Sequence, residues 1–388
     1  MTIVVTGMVA TYPLGGVAVD YLAYVTGFQS LGLDVFYLED PGHWFYDPRG
    51  HTFTDDASYG VAYLAAALAR PGNPPPRWAV RGPDGTYHGT DAATVERICA
   101  HADLFLNVSG SCWLRPHYRG ARRTAYLDTD PGYSQAKLAA VAAGTASEDA
   151  AYSVGLIRAH DTFFTLAESI QDPDCRVPAC GLQWRPTRQP VVLEDWPFTF
   201  TPAASAFTTV MSWKTDVTPP SFDGVAYGGK DVEFLKFVDL PARTPVALEI
   251  AVSGAAPQQR LRDAGWRVVD GYAHSHSPAA YRDYLRAARG EWSIAKNAYV
   301  ATRSGWFSTR TAAYLACGKP TVVQDTGFSR RYPTGAGLFA FTTLEDAVDA
   351  LDRISSDYLR HCDAARALAE RAFAAPHVLA RLLRDAGL

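Results

Sequence analysis

The sequence lacks long apolar runs, clustered positive charge and a recognisable cysteine framework. No apolar stretch approaches the roughly 20 residues of a membrane-spanning helix, and the apolar start is typical of a strand, without the basic residues of a signal peptide. Lysine and arginine number 36 against 40 aspartates and glutamates, so the net charge of -4 gives no footprint for nucleic acid. The closest cysteines, Cys175 and Cys180, fit neither a CxxC redox motif nor a zinc knuckle. We therefore expect a cytoplasmic protein with no membrane span and no nucleic-acid partner.

Motifs that would name a cofactor or a hydrolytic mechanism are also missing. The glycines after the first strand do not have the G-x-G-x-x-G spacing of a nicotinamide-binding loop, so a dehydrogenase is the weaker option. Residues 109–111 follow an apolar strand but lack the G-x-S-x-G elbow of a hydrolase. His274 and His276 alternate along a loop with no third ligand at a helpful spacing. We expect neither a cofactor nor a metal.

Short apolar strands alternate with helical stretches, a pattern typical of an α/β protein with parallel sheets. The length of 388 residues indicates two domains, and the hydrophobic fraction of 48% is sufficient for two cores. The proline- and tryptophan-rich stretch 178–202 predicts the linker between them. Loops are predicted at 40–58 and 70–90, as parts of a binding pocket. The predicted strands are 3–6, 35–38, 104–108, 124–127, 162–166, 207–213, 246–252, 266–269, 299–302 and 321–324.

The most informative segment is 299–327. Its predicted opening strand, 299–302, is broken at Ser304 and Gly305, and Ser308 then has the chemistry of a helix N-cap. The helix stops at Gly318, before the strand 321–324. In a parallel sheet this unit presents the helix N-terminus at the carboxyl ends of the strands, where anions and ligands bind.

Arg310 lies in the first turn of that helix, where a cation opposes the helix dipole. The position is explained if a dianionic group binds there, held by backbone N–H groups, the hydroxyls of Ser308 and Thr309, and the guanidinium. The alternative is an exposed arginine that tolerates a small penalty. Spacing alone leaves both interpretations open.

The order of polar turn, S-x-R, helix, A-C-G-x-P and valine-rich strand resembles the donor-binding segment of GT-B glycosyltransferases of the group 1 (GT4-like) type. The amino terminus agrees, because residues 11–17, TYPLGGV, match the Y-P-x-x-G-G loop of the same group. The resemblance implies a GT-B architecture, with two Rossmann-like parallel-sheet domains facing a central cleft and the acceptor near Gly15 and Gly16. The predicted boundaries are 1–190 for the acceptor domain, 191–205 for the linker, 206–370 for the nucleotide-sugar domain and 371–388 for a helix that returns to the first domain.

The resemblance also implies a donor site in the second domain. A basic pair after the strand 207–213 is expected to neutralise the diphosphate leaving group, with Lys214 as first choice and Lys230 as second. Lys296 and Asn297 either reach the donor or cap the turn. The predicted donor-binding residues are Ser212, Lys214, Lys230, Tyr272, Ser304, Gly305, Trp306, Phe307, Ser308, Thr309, Arg310, Asp325, Thr326 and Gly327.

The chain departs from the pattern at two positions. Retaining enzymes of the group carry two glutamates, one around the turn and one in the helix, where this sequence has Gly305 and Ala313. The stereochemical outcome therefore cannot be transferred from the resemblance. A degenerate, non-catalytic nucleotide-binding protein is a second hypothesis, and a GT-B-like epimerase or phosphorylase is a third.

In the first domain, Asp128-Thr129-Asp130 ends a predicted strand and superficially resembles the D-x-D metal motif of GT-A enzymes, whereas GT-B enzymes generally need no metal. We interpret the two aspartates as polar groups lining the cleft, with Asp128 as a base toward an acceptor hydroxyl. His160 is a second candidate base, because histidine titrates near neutral pH. A capping or surface histidine is the alternative.

The favoured function is metal-independent transfer of a hexose from a nucleotide-diphosphate sugar to a small-molecule acceptor. The alanine- and arginine-rich composition is typical of a high-GC bacterium, which makes a natural product of secondary metabolism the expected acceptor. The nucleotide base, the sugar, the acceptor and the oligomeric state are left open by the sequence.

Overall fold

The computed structural model describes residues 1–69, 75–214 and 217–388. Within these residues the chain forms two α/β domains, each built on a parallel sheet, as the alternation of strands and helices predicted. Part of the loop predicted at 70–90, residues 70–74, lies outside the described residues.

The first domain contains ten of the described strands and five of the described helices. The strands are β1 (Thr2–Thr6), β2 (Asp34–Glu39), β3 (Phe45–Asp47), β4 (Thr52–Thr54), β5 (Arg77–Arg81), β6 (Tyr87–His88), β7 (Leu104–Val108), β8 (Thr124–Asp128), β9 (Thr162–Thr165) and β10 (Trp184–Pro186). The helices are α1 (Gly15–Ser30), α2 (Ser58–Leu68), α3 (Ala92–His101), α4 (Tyr133–Ala142) and α5 (Glu148–Arg158).

The second domain and the C-terminal helices follow. The strands are β11 (Ala206–Ser212), β12 (Ser221–Phe222), β13 (Val225–Ala226), β14 (Ala247–Ser253), β15 (Arg267–Asp270), β16 (Gly290–Ser293), β17 (Thr321–Gln324) and β18 (Leu338–Phe341). The helices are α6 (Lys230–Phe234), α7 (Gln258–Asp263), α8 (Pro278–Ala287), α9 (Asn297–Ala301), α10 (Thr309–Ala316), α11 (Leu344–Ser356), α12 (Tyr358–Phe373) and α13 (Ala375–Asp385). Across the described ranges, none of the helices has both the length and the apolar character needed to cross a bilayer.

The two main sheets have the strand orders of doubly wound folds. The first runs β10-β9-β8-β7-β1-β2-β5-β6, with only the β5–β6 pair antiparallel among its described pairs. The second runs β15-β14-β11-β16-β17-β18, with all of its described pairs parallel. Parallel sheets are covered by helices on both faces, so their central strands are apolar throughout. Accordingly Ile3, Val4 and Val5 of β1 are each 0% exposed.

The predicted strand at 299–302 is wrong. These residues lie in and just after the short helix α9, and the strand of this unit is β16, which pairs with β11 and β17. A run of four residues is too short for periodicity to separate a strand from one helical turn. The stretches predicted as loops also contain short strands, among them β5 and the β3–β4 hairpin, and β10 lies inside the predicted linker stretch.

The chain crosses between the domains near Val191 and again near Ala374, and the two crossing segments pair with each other. Val191 N donates to Phe373 O at 2.7 Å, and Ala375 N donates to Val191 O at 2.9 Å. Beyond this bridge, α13 packs Leu379 into the core of the first domain. The approach is close, because a Cβ at Gly27 of α1 would lie 2.5 Å from Leu379 Cδ1.

Phe307, a predicted donor contact, belongs to the core at this crossing. Its ring stacks on Phe373 with centroids 5.2 Å apart and lies 4.9 Å from the ring of Tyr332. We expect Phe307→Ala to lower the free energy of unfolding by about 3–5 kcal/mol, because a large buried ring is removed. Chemical denaturation measures the change. Leu359→Ala, at a residue 51% exposed on α12, is the control and should cost less than about 0.5 kcal/mol; equal costs for the two variants would contradict the assigned packing.

The backbones of the two domains touch at the start of α1. Gly15 N donates to Ser275 O at 2.5 Å, and a Cβ at Gly15 would lie 2.2 Å from the carbonyl oxygen of Ser277. The neighbouring Gly16 has room, because a Cβ there would meet the Tyr281 ring at 3.4 Å.

We expect Gly15→Ala to push the two domains apart at this contact and to lower the free energy of unfolding by about 1–3 kcal/mol. Gly16→Ala is the matched control, since it makes the same chemical change one position along the same helix and should leave stability nearly unchanged. Thermal unfolding of both variants tests the difference. Identical melting temperatures would show that the domains do not touch at Gly15 in solution.

Candidate functional site

The carboxyl edges of the two sheets face each other across a cleft, where polar groups from both domains meet. After β8, Thr129 and Asp130 reach the second domain. Trp306 Nε1 donates to Thr129 O at 3.1 Å, and Lys296 Nζ donates to Asp130 Oδ1 at 2.8 Å. The seam is therefore made by charged and polar groups as well as by backbone contact.

Arg310 is neutralised from within its own domain. Its Nε donates to Glu291 Oε1 at 2.7 Å and its Nη1 donates to Val210 O at 2.7 Å. The side chains of Arg310 and Glu291 are 10% and 0% exposed. The guanidinium is thus held by a carboxylate on β16 and is not the exposed arginine of the alternative interpretation, while its contact with a dianion stays a prediction. Ser308 is the N-cap residue of α10, as predicted, but its side chain makes no capping hydrogen bond.

The predicted donor turn packs against the first domain. Ser169 N donates to Ser304 O at 3.0 Å, and a Cβ at Gly305 would lie 2.5 Å from Ser169 Oγ. Trp306 stacks near Tyr299, with ring centroids 4.5 Å apart. In this arrangement the turn forms the seam between the domains, with Gly305 packed directly against Ser169.

Asp325, Thr326 and Gly327 close an internal turn. Asp325 accepts hydrogen bonds from Gly327 N at 2.9 Å and from Ser329 Oγ at 2.8 Å. Thr326 Oγ1 donates to Trp306 O at 2.6 Å. The Asp325 carboxylate is therefore engaged by its own loop, and its predicted contact with the donor stays a prediction.

Three predicted donor residues do come together. Ser212, Lys214 and Lys230 line one cavity of about 420 Å³ at the carboxyl end of β11, together with Lys296 and Tyr133. Lys214 is 65% exposed and lies 3.6 Å from the carboxylate of Asp231. We call this space the lysine cavity.

Lys230 stands at the start of α6, and its ammonium makes no hydrogen bond to any residue in the described ranges. Burial, together with the nearby cations of Arg310 and Lys296, lowers the pKa of Lys230 to about 7. Burial is the larger cause and disfavours the charged ammonium, and the two cations add to the shift beyond what Asp130 and Glu291 offset. A bound anion would relieve that imbalance, so the lysine cavity is suited to a diphosphate.

Tyr299 and Lys296 join Asp130 across the cleft. Tyr299 Oη donates to Asp130 Oδ1, and the Lys296 ammonium lies 4.6 Å from the centroid of the Tyr133 ring. Burial acts to raise the pKa of Asp130, but the charge of Lys296 and its hydrogen bonds hold that pKa below the ordinary value. The sequence left Lys296 between two roles and placed Tyr299 in a strand. Lys296 and Asp130 are 166 residues apart, so their pairing leaves no pattern in the sequence around either residue.

Both predicted catalytic bases are buried in the first domain. Asp128, 1% exposed, accepts from Gln135 Nε2 at 2.9 Å and from Thr165 Oγ1 at 2.8 Å. Burial raises the pKa of Asp128 to about 6. His160, 5% exposed, has its Nδ1 2.9 Å from Leu156 O, and burial lowers its pKa. Both side chains are engaged by partners within the first domain, and the capping alternative fits His160; their roles as bases stay predictions.

Asp20 is a cleft residue that the sequence reasoning missed. Thr309 Oγ1, in the first turn of α10, donates to Asp20 Oδ1 at 3.1 Å. Burial raises the pKa of Asp20 to about 6, and the Asp130 carboxylate adds to the rise. A signal was available, because Asp20 is the single charged residue in the otherwise apolar and small stretch 15–30.

The remaining predicted contacts are covered by the opposite domain. The ring of Tyr272 lies 6.3 Å from that of His51, and burial together with a hydrogen bond to Tyr59 raises the pKa of Tyr272 to about 12. Gly15 and Gly16 are covered by residues 275–281. Gly15 and Gly16 thus lie at the contact with the second domain, and their predicted role in acceptor binding stays a prediction. Over the ranges 1–69, 75–214 and 217–388, no group of three or more His, Cys, Asp or Glu side chains is arranged to hold a metal ion.

Comparison with known proteins agrees with this geometry. The model of a family described as glycosyl transferase-like matches residues 233–385. AviGT4, a glycosyltransferase involved in avilamycin A biosynthesis, superposes with a TM-score of 0.55 at 12% identity, over 100% of this chain and 97% of that one. Alr3699/HepE of Anabaena, solved with UDP-glucose, gives 0.58 at 13% identity, over 99% and 98% of the two chains. Sucrose-phosphate synthase of Thermosynechococcus elongatus gives 0.54 at 13%, over 99% and 98%.

No curated protein sequence gives a significant match to the chain. At identities this low, similarity to solved structures shows the fold, and the fold covers the whole chain in all three comparisons. The protein therefore has the GT-B fold of glycosyltransferases, and its residues 233–385 match the glycosyl transferase-like family.

Proposed function

We propose that this protein transfers a hexosyl group from a nucleotide-diphosphate sugar to a hydroxyl group of a small natural product. The observation that carries the proposal is the lysine cavity, in the domain that also carries the family match. The complex of Alr3699/HepE with UDP-glucose supports a nucleotide-hexose donor. The role of AviGT4 in avilamycin A biosynthesis supports an acceptor from secondary metabolism.

The lysine cavity supplies the charge that the leaving group requires. When the bond between the sugar carbon and the diphosphate breaks, the diphosphate retains the electron pair and additional negative charge. Fixed cations aimed at that group lower the barrier electrostatically. Lys214 and Lys230 line the cavity, and Lys296 stands at its interdomain wall. With these cations in place, we expect the reaction to proceed without a metal.

Asp20 is the group proposed to receive the proton of the acceptor hydroxyl. It lies beside Thr309 at the start of α10, on the first-domain side of the cleft. The acceptor oxygen bonds to the sugar carbon, the diphosphate departs, and the proton moves to Asp20. A carboxyl with a pKa of about 6 is suited to this role, because it is ionised at neutral pH but still basic enough to take a proton.

Packing explains why this chain has no glutamate at positions 305 and 313. Gly305 has a φ of 74°, and a Cβ at this position would meet Ser169 at 2.5 Å. Ala313 is 2% exposed in the hydrophobic core of the second domain. Neither position has room for a carboxylate in this chain. A non-catalytic nucleotide-binding protein remains the second candidate, supported by these same two positions. Product analysis separates transfer from epimerisation or phosphorolysis.

We expect one nucleoside diphosphate among UDP, dTDP, GDP, ADP and CDP to raise the melting temperature by several degrees, because ligand at about 100 times its dissociation constant adds about 2.7 kcal/mol. Affinity should fall as the pH rises above about 7, because Lys230 loses its charge there. Calorimetric titration at several pH values measures both effects.

Three variants sharpen that measurement. Lys230→Ala should weaken binding, whereas Lys230→Arg should retain it and flatten the pH dependence, because a guanidinium remains charged. Arg267→Ala, which removes a cation at the opposite end of β15, is the control and should bind normally. Arg310→Ala is a poor probe, because it leaves the buried Glu291 unpaired at a cost of about 3–5 kcal/mol. If none of the diphosphates binds, the proposal fails at the donor site.

We expect Asp20→Asn to lower kcat by about 10²- to 10⁴-fold, because the base is removed. In the unmodified protein kcat/KM should rise with pH through about 6, as Asp20 ionises. Burial already raises the folded pKa of Asp20, so its ionisation destabilises the fold as the pH rises from about 4 to 6. The Asn variant should therefore be no less stable at pH about 7. Asp352→Asn, at an exposed position on α11, is the control; full activity of Asp20→Asn would exclude Asp20 as the base.

A further inference from the structure

A second cavity, of about 570 Å³, lies beside the two crossing segments and shares no lining residue with the lysine cavity. Its walls come from both domains and from both crossings. The first domain gives the loop after β9 and the first crossing, and the second domain gives the loop after β17. The ends of α12 and α13 complete it. The lining residues are Glu168, Gln171, Asp172, Pro186, Thr187, Arg188, Arg331, Arg371, Ala372, His377, Val378 and Arg381.

This crossing cavity is strongly positive in a protein that is negative as a whole. Arg188, Arg331, Arg371 and Arg381 give four guanidiniums, against the two carboxylates of Glu168 and Asp172. The net charge of the chain is -4, so the local excess of cations is opposite to the general trend. The guanidiniums come from distant parts of the sequence, and the fold brings them to one concave surface.

The carboxylates do not neutralise all of these cations. Arg188 Nε donates to Glu168 Oε2 at 2.8 Å, and Arg331 pairs with Asp172. Arg381 has a carboxylate neighbour on its own helix, Asp385, at 3.5 Å in an exposed pair that contributes little. Arg371 has neither an ion pair nor a hydrogen bond within the part of the chain that the structure describes.

We infer that the crossing cavity binds a small phosphate-bearing anion. Guanidinium groups match phosphate oxygens in geometry and charge, and they bind them by paired, charge-assisted hydrogen bonds. Arg371 and Arg381 offer donors from consecutive helices, and Arg331 and Arg188 stand on the facing walls.

Such an anion would connect the two domains at the point where the chain crosses between them. Arg331 belongs to the second domain and Arg188 to the first, while Arg371 lies two residues before Phe373, which accepts the hydrogen bond of the first crossing. A ligand held by these groups stabilises the closed arrangement seen here, because it binds only when the four arginines are together. This site is independent of the donor site and of the proposed function.

The test uses inorganic phosphate and pyrophosphate at constant ionic strength, with sodium chloride as the balancing salt. Thermal unfolding of the full chain should shift upward by several degrees with millimolar phosphate. In Arg371→Gln/Arg381→Gln the half-saturating concentration should rise by about tenfold or more, because two charge-assisted contacts are lost. Arg360→Gln, an exposed arginine on α12 that does not line the cavity, is the matched control and should respond like the unmodified protein.

The two sites are distinguished by crossing the variants with the ligands. Lys230→Ala should retain the phosphate response, and Arg371→Gln/Arg381→Gln should retain binding of the nucleoside diphosphate. A phosphate response that survives in Arg371→Gln/Arg381→Gln but disappears in Lys230→Ala would place the anion in the lysine cavity and overturn the inference. So would the absence of any stabilisation by phosphate or pyrophosphate beyond that of sodium chloride.

Discussion

The ion pair between Arg310 and Glu291 fixes the geometry on which the cleft depends. It ties the first turn of α10 to β16, and through the carbonyl of Val210 it also ties that turn to β11. Burial of either charge alone would cost several kcal/mol, so the two side chains specify each other and fix the start of α10 relative to the sheet. This start then places Thr309 opposite Asp20 of the first domain. A charge pair inside one domain thereby sets a contact between domains.

The same pair explains the state of the lysine cavity. Arg310 is satisfied by Glu291, but its charge still acts on Lys230, as does that of Lys296. Asp130 offsets part of this charge and is itself shared with Lys296 and Tyr299. Around Lys230, the positive charges of the cleft therefore outweigh the negative ones. Lys230 is the residue whose protonation responds. Under the proposed function, a bound diphosphate would supply negative charge here, so its binding would be coupled to proton uptake by Lys230.

Much of the fold followed from the sequence, because strands such as β1, β2 and β11 are buried on both faces and are therefore apolar runs bounded by turn residues. The residues of the candidate site could be predicted less well than the fold, for two physical reasons. Motif residues such as Phe307 were assigned to the ligand although a large apolar ring gains more from burial in a core. The decisive contacts of Arg310 and Lys296 join distant parts of the sequence, and spacing within a motif carries no information about them. Lys214 and Lys230 could be predicted to share a site. Both follow β11 at the carboxyl edge of a parallel sheet, where ligands bind.

The missing glutamate at position 305 and the interdomain seam are one constraint. Arg303 donates to Asp174 at 2.7 Å, Ser304 accepts from Ser169, and Gly305 lies against the same loop of the first domain. A glutamate at 305 would require both a non-glycine residue at positive φ and displacement of that loop. The seam thus occupies the space that a side chain at 305 would need. Position 313 follows a separate constraint, because its alanine is 2% exposed and lies in the hydrophobic core. In this chain, contact between the domains accounts for the first absence and core packing of α10 accounts for the second.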